Sequence, residues 1–529
     1  MKNSGVASRR KLFLKIGIFI LLLTWLGFLL ARKIDLTSAD LGRHLQNGKW
    51  VVENHFNIFE KNSPLFQNYY SYTNPDFPVV NHHWGSGVFF YFIFKLFGFS
   101  GLSLLYILLS LVAFLLFFLI AVEESSFTLA VILSFFLAPL MAERVEIRPE
   151  VFSVLFSAIF FFALWQYTCH RLSARWLIAL IPLQIIWVNF HVYFFLGIFL
   201  AGAYLLEALL RKLWGQVKIL SILLLALVLG SLVNPFGLTG LIYPLQIFQN
   251  YGYTIVENKS VSFVENYGIQ NPNFLVIKAV LVLLVFSWVI AIAARRKNLS
   301  VSLFLASLFF GIIAWLAIRN FTLLGFLALP ILAVNFGELW RRDNSKMIEA
   351  KENLIACLYI VLVALALYDN YQYVSAHLKT RGIGLEPGVE KAAIFLRQEN
   401  IAGPIFNNYD VGGYLIWNLC PKEKVFVDNR PEAYPVSFFD EVYKPMQDYE
   451  NIWNEQKNKW NFNAVVFYYH DITPWSQSFA GHIQKNPEWA KVFQDDYIEI
   501  FLRRNEPNQR IIKKYETQSS NNSLLNISY

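Results

Sequence analysis

Four polar clusters in this chain combine residue types that could do chemistry. Asp40-Leu-Gly-Arg43-His44 puts a carboxylate, a cation and an imidazole at i, i+3 and i+4, which share one face if the segment is helical. That grouping suits general-base work or half of a metal site, and it equally suits the solvated face of an interfacial helix. Asn81-His82-His83-Trp84 offers two imidazoles for a phosphate or a metal, although adjacent side chains on a helix point apart. Glu143-Arg144-Val-Glu146-Ile-Arg148-Pro149 sets two guanidiniums among acids. It reads either as local ion pairs or as a fork for an anionic head group or pyrophosphate. Arg319-Asn320 adds a further guanidinium, which could hold a phosphate or snorkel to a lipid head group. Asn189, His191 and Glu257 are lesser candidates, a single Glu in a polar loop being usually solvated.

Membrane helices must position these clusters. Of 529 residues, 56% are hydrophobic and only 16% charged, against roughly 25% in ordinary soluble domains. A soluble core could not hide 49 Phe among so many aliphatic residues, so a soluble enzyme, a disordered chain and a disulfide scaffold are all excluded. The net charge of +8 comes from short Lys/Arg groups between apolar runs. This is the pattern of topology determinants rather than of nucleic-acid binding.

A spanning helix needs about 20 apolar residues. Runs at 12–31, 101–122, 126–142, 150–167, 174–189, 192–210, 217–234, 274–294, 300–318, 320–338 and 353–370 give about eleven transmembrane helices. The first reads as a retained anchor. With the N-terminus in the cytoplasm, the inner connections hold Arg171 and Arg175, then Arg211, Lys212 and Lys218, then Arg295, Arg296 and Lys297, then Arg341, Arg342 and Lys346. Glu123 and Glu124 are the exception on that side. The expected domains are a transmembrane part, 1–370, carrying outer loops 32–100 and 234–273, an extracytoplasmic part, 380–505, and a disordered tail, 506–529.

The 380–505 region alternates strands with helices, which predicts a small α/β domain. Pro404–Asn407, Lys424–Asp428, Ala464–Tyr469 and Tyr497–Leu502 read as strands, and Glu390–Gln398 and the stretches around Trp453, Trp460 and Trp489 as helices. Gly412-Gly413 reads as a tight turn or a close backbone approach to a ligand. Asp428 and Arg430 form either a strand-end ligand site or a fold-stabilising pair.

Taken in order, these motifs resemble the bacterial GT-C-type membrane glycosyltransferases, in a branch with an outer C-terminal domain. The resemblance runs over about residues 12–505. It is carried by Asp40 to His44, Gly48, Tyr70-Ser71-Tyr72-Thr73, His82-His83-Trp84, Arg148-Pro149, Trp187-Val-Asn189-Phe-His191, Asn234-Pro235-Phe-Gly237 and Arg319-Asn320. The tail segments FNNYDVGGYLIW and VFVDNRPEAY complete it. The branch usually has His-Glu-Trp where this chain has His83, and Trp-His where it has Arg43-His44.

The resemblance implies an inverting transfer of a sugar from a polyprenyl-phosphate donor to a glycan, lipid or protein acceptor at the outer face of the cytoplasmic membrane. It implies Asp40 as the catalytic carboxylate. Arg144, Arg148 and Arg319 would bind the donor phosphate, helped by His82, His83 and His191. Arg43, His44, Glu143, Glu146 and Glu257 would support them. A divalent cation at Asp40, His44 and His82 stays open. A flippase for a lipid-linked sugar would need polar residues through mid-membrane, which are few. A non-catalytic scaffold would use the tail as a partner-binding surface.

Overall fold

The computed structural model describes residues 2–144, 146–246, 249–295, 299–341 and 348–522. Arg296, Lys297, Arg342 and Lys346, expected in inner connections, lie outside them. The chain divides into two compact units. Met1–Arg32, Ser103–Asn234 and Ile255–Ile383 form the first, and Lys33–Leu102, Pro235–Thr254 and Gly384–Tyr529 the second.

The first unit is a helical bundle. Among the described residues of the chain, seven helices are long and apolar enough to cross a membrane, and four shorter apolar helices accompany them. Together they coincide with the eleven apolar runs, so the protein is a polytopic helical membrane protein. Helix Phe321–Arg341 is at the centre, and every residue from Phe321 to Gly337 is buried. A helix apolar all round must be enclosed by others. It packs most extensively on helices Phe127–Met141 and Asn273–Arg295. Outer helices instead show one exposed apolar face, as with Val282, Val285, Val289 and Ile292 on Asn273–Arg295.

Several polar side chains inside this bundle are paired, which offsets the cost of burying them. Trp288 Nε1 donates to Ser307 Oγ over 2.9 Å and Asn335 Nδ2 to Ser287 Oγ over 3.1 Å. The acids Glu123 and Glu124, which broke the charge pattern, are held by Arg171 at 2.8 and 3.0 Å.

In the second unit, β1 (Ile405–Asn407), β2 (Ala464–Tyr468), β3 (Trp489–Gln494) and β4 (Ile498–Arg503) make one sheet in the order β1-β2-β4-β3. β1 and β2 are parallel and the other pairs antiparallel, with Val466 opposite Ile500. An aromatic core that includes Phe406, Phe426, Trp453, Phe479 and Trp489 packs this unit. This is the small α/β domain expected, with four corrections.

Lys424–Asp428 is not a ladder strand. Its backbone bonds go to loop residues Tyr70 and Tyr72 and to the Asn407 side chain, which replaces a strand neighbour. Trp489 begins a strand rather than lying in a helix, because β4 offers it an antiparallel partner. Gly412-Gly413 is no turn but the start of helix Gly412–Leu419. A Cβ on Gly412 would lie 2.4 Å from the Asp428 Cα, so the glycine permits packing. Finally, the tail expected to be disordered carries helix Gln509–Asn522. It docks on β3 through buried Ile511 and Ile512, with the Tyr515 hydroxyl on Glu399 at 2.6 Å. Residues 523–529 lie outside the described ones.

The domain boundaries also differ from expectation. The first outer loop belongs with the C-terminal region, because its segments are hydrogen-bonded into it. Tyr72 N donates to Val425 O, and Val425 N to Tyr70 O. Helix Leu41–Glu53 packs on Gly412–Leu419. The second outer loop is divided, Pro235–Thr254 falling in the second unit and residues 255–273 in the first. Helix Trp84–Glu124 is two helices broken at Gly98, whose φ of 63° and ψ of −162° suit glycine.

Candidate functional site

In the first unit, three guanidiniums from two distant stretches of sequence meet at helix ends. Arg144 and Arg148 lie in the connection before helix Glu150–Thr168, and Arg319 in the single turn Ile318–Asn320 before helix Phe321–Arg341. The backbone fixes them there. Arg144 N donates to Thr322 Oγ1 over 3.1 Å, and the Tyr106 hydroxyl donates to Arg144 O.

Three carboxylates answer the three cations. Glu150 Oε1 takes Arg319 Nη2 at 2.8 Å and lies 3.4 Å from Arg144 Nη2. Glu257 Oε2 takes Arg144 Nη1 at 2.5 Å and Arg148 Nη1 at 3.1 Å. Glu146, half-exposed, takes Arg148 Nη2 at 2.6 Å. Arg319 Nη1 donates to Asn258 Oδ1 over 2.7 Å, whereas its Nε is buried with no hydrogen-bond partner among the described residues. Burial works against the charge on Glu257, but Arg144, Arg148 and Arg319 outweigh it and hold its carboxyl down to about 2.

His191 joins this cluster. Its Nδ1 lies 2.8 Å from Ser153 Oγ and also accepts from Tyr193 N, which leaves Nε2 as the protonated nitrogen, 4.0 Å from Glu150 Oε2. Burial lowers its pKa to about 4 despite Glu150, so the ring is neutral at pH 7. The three arginines, Glu146, Glu150 and Tyr193 line a small, nearly filled cleft. Planar guanidiniums around such a cleft suit an anion with several oxygens.

Glu150 was missed from the sequence. An acid opening a helix looks like an ordinary complement to the helix dipole, and its partner Arg319 is 169 positions away. Glu143, read as a partner of the arginines, serves elsewhere. Its carboxylate takes the Asn271 and Asn273 amides at 2.5 and 2.6 Å and so clamps the start of helix Asn273–Arg295. Glu257 is not simply solvated, since it joins two arginines.

Asn189, also in the first unit, donates to Ile185 O over 2.8 Å, and the remaining candidates belong to the second unit. Asp40 occupies the N-cap of helix Leu41–Glu53, with Arg43 Nη2 3.5 Å from its Oδ1. His44 is buried and sets its ring 5.3 Å from that of His83, which lies 3.7 Å from that of His82. His82 Nδ1 donates to Val80 O over 3.2 Å. Among the described residues no group of three or more His, Cys, Asp or Glu side chains is arranged to hold a metal ion. Asp428 and Arg430 form a buried, two-pronged ion pair at 2.9 and 2.7 Å, extended to Asn68 Oδ1. Burial opposes the charge on Arg430, and Asp428 restores it beyond the usual arginine range.

No protein-family model matches the sequence, and no curated protein matches it. Solved structures do. The archaeal oligosaccharyltransferase AglB from Archaeoglobus fulgidus, in complex with an inhibitory peptide and a dolichol-phosphate, gives a TM-score of 0.61 at 12% identity, over 89% of this chain and 71% of that one. ArnT from Cupriavidus metallidurans gives 0.53 in the apo state, at 12% identity over 94% and 98% of the two chains. Bound to undecaprenyl phosphate it gives 0.51, at 13% identity over 93% and 97%. At such identities the likeness is one of fold, and the chain has the GT-C fold that its motifs resemble.

Proposed function

We propose that the protein is an inverting glycosyltransferase that takes a sugar from a polyprenyl-phosphate donor at the outer face of the cytoplasmic membrane, with its N-terminus in the cytoplasm and its C-terminal region outside. One observation carries the reading: Arg144, Arg148 and Arg319 converge on one cleft at the ends of membrane helices. AglB and ArnT were solved with a dolichol-phosphate and with undecaprenyl phosphate, and a lipid phosphate suits three guanidinium forks.

The chemistry asks little of an acid. The acceptor hydroxyl attacks the anomeric carbon, the bond from that carbon to the phosphate oxygen breaks, and the electron pair leaves on the phosphate. The arginines stabilise that charge. The acceptor's proton goes to a carboxylate, a role assigned to Asp40 on the resemblance of the first outer loop.

Purified protein incubated with a polyprenyl-phosphate sugar and membrane acceptors tests this. Asp40→Asn should cut transfer by roughly 10²–10⁴-fold without loss of folding. Arg319→Ala should weaken donor binding. Full transfer by Asp40→Asn would remove Asp40 as base, and donor binding untouched by Arg319→Ala would remove the cleft as the phosphate site.

A further inference from the structure

The arginines that line the cleft already hold anions from the chain itself, and one of these reaches them from outside the cleft's own lining. Glu257 Oε2 bridges Arg144 and Arg148 at 2.5 and 3.1 Å, as one phosphate oxygen would. Glu146 and Glu150 lie in or beside the connection that carries those arginines, whereas Glu257 arrives from a separate turn, Val256–Asn258. Its neighbour Asn258 accepts from Arg319, and Ile318 N donates to Lys259 O at 3.2 Å. Residues 257–259 thus touch all three arginines or the turn that carries them. Glu257 keeps about a third of its side chain exposed, so it can leave toward solvent.

Charge decides what can replace it. Three guanidiniums face three carboxylates, with His191 neutral, so the cluster is balanced. Adding a phosphate without removing an acid would leave a surplus negative charge in a partly buried site, which is costly. Exchanging one carboxylate for one singly charged phosphate diester preserves the balance. A diphosphate would overshoot it.

We infer that Glu257 is a built-in competitor seated where the donor's phosphate goes, and that the donor displaces it one for one. This rests on the phosphate-holding role proposed above. The ligand class is therefore a lipid-linked sugar on a single phosphate, a diester, rather than on a diphosphate. The unpartnered Nε of Arg319 supplies a donor that such a phosphate can use once the turn withdraws.

The test uses the full chain in detergent with two probes, farnesyl methyl phosphate, a singly charged diester, and farnesyl diphosphate. Glu257→Gln keeps the side chain's shape and removes its charge. If the carboxylate holds the site nine-tenths of the time or more, the variant binds the diester about tenfold or more tightly than wild type. Both proteins should prefer the diester to the diphosphate. In wild type, adding the diester should raise hydrogen exchange across residues 255–260, which reads the turn's release even if the variant fails to fold. Equal or weaker binding by Glu257→Gln, or exchange that is unchanged or lowered, overturns the competitor. A preference for the diphosphate overturns the charge matching. If folded wild type and variant bind neither probe, the phosphate role of the arginine cleft itself falls.

Discussion

Arg319 Nη2 and Glu150 Oε1 meet at 2.8 Å across 169 positions of sequence, and this contact ties the turn before the central helix to the start of another. Glu150 serves Arg144 as well. Replacing it with Gln keeps the volume and leaves two guanidiniums short of a counter-charge. Breaking a buried ion pair from one side costs roughly 3–5 kcal/mol. Because Arg319 keeps 22% of its side chain exposed, the low end applies. Glu150→Gln should therefore lose about 3 kcal/mol in denaturant unfolding. A midpoint equal to wild type would show that the cluster does not hold these helix ends.

Gly48 lies against the carbonyl oxygen of Gly87, where an added Cβ would approach to 2.1 Å. Gly48→Ala should force helix Leu41–Glu53 off its neighbour and cost roughly 1–3 kcal/mol, seen as faster proteolysis of the first loop. Gly202→Ala is the control. Nothing lies within 4 Å of that position, so stability should hold or rise.

Asp428 and Arg430 are both almost wholly buried. Asp428→Asn alone should cost about 3–5 kcal/mol, because it leaves an uncompensated cation inside. The double variant Asp428→Leu/Arg430→Met should recover most of that. A double-mutant cycle measures the coupling, and additive single losses would mean that the pair is not a unit.

Glu257 gives a pH limb with a definite sign. Its folded-state pKa of about 2 lies below the usual carboxylate value of about 4.3. Between those values the unfolded chain binds more protons, so the stabilisation is complete above about pH 4.5 and is lost as pH falls toward 2. Thermal melting should stay flat in this respect from pH 7 to about 4.5 and drop below it, and Glu257→Gln should flatten the drop. An equal acid limb in the variant would assign the loss to other groups.

The bundle was legible because spanning helices leave long apolar runs. Strand β2 was legible for the same reason, since Ala464 to Phe467 are all buried and read as one apolar stretch. β3 was not. It alternates burial and carries Lys491 and Gln494, so its strand character depends on pairing with β4. Arg144, Arg148 and Arg319 stood out because a charge at a span end needs a reason. Glu150 and Glu257 did not, because an acid beside a proline and an acid in a polar loop each have an ordinary explanation. Their partners come from distant connections, and no local period encodes such a pairing.

The fully enclosed stretch from Phe321 to Gly337 has a mechanical consequence. A helix that touches no lipid cannot be tuned by lipid. Bilayer thickness acts on such a stretch only through the helices around it, which tilt or slide to match their own apolar lengths. Arg319 sits at the edge of that shielded column. Membranes of different depth would then deform the rim of the bundle while its axis, and the guanidinium mounted at the end of it, stays in register.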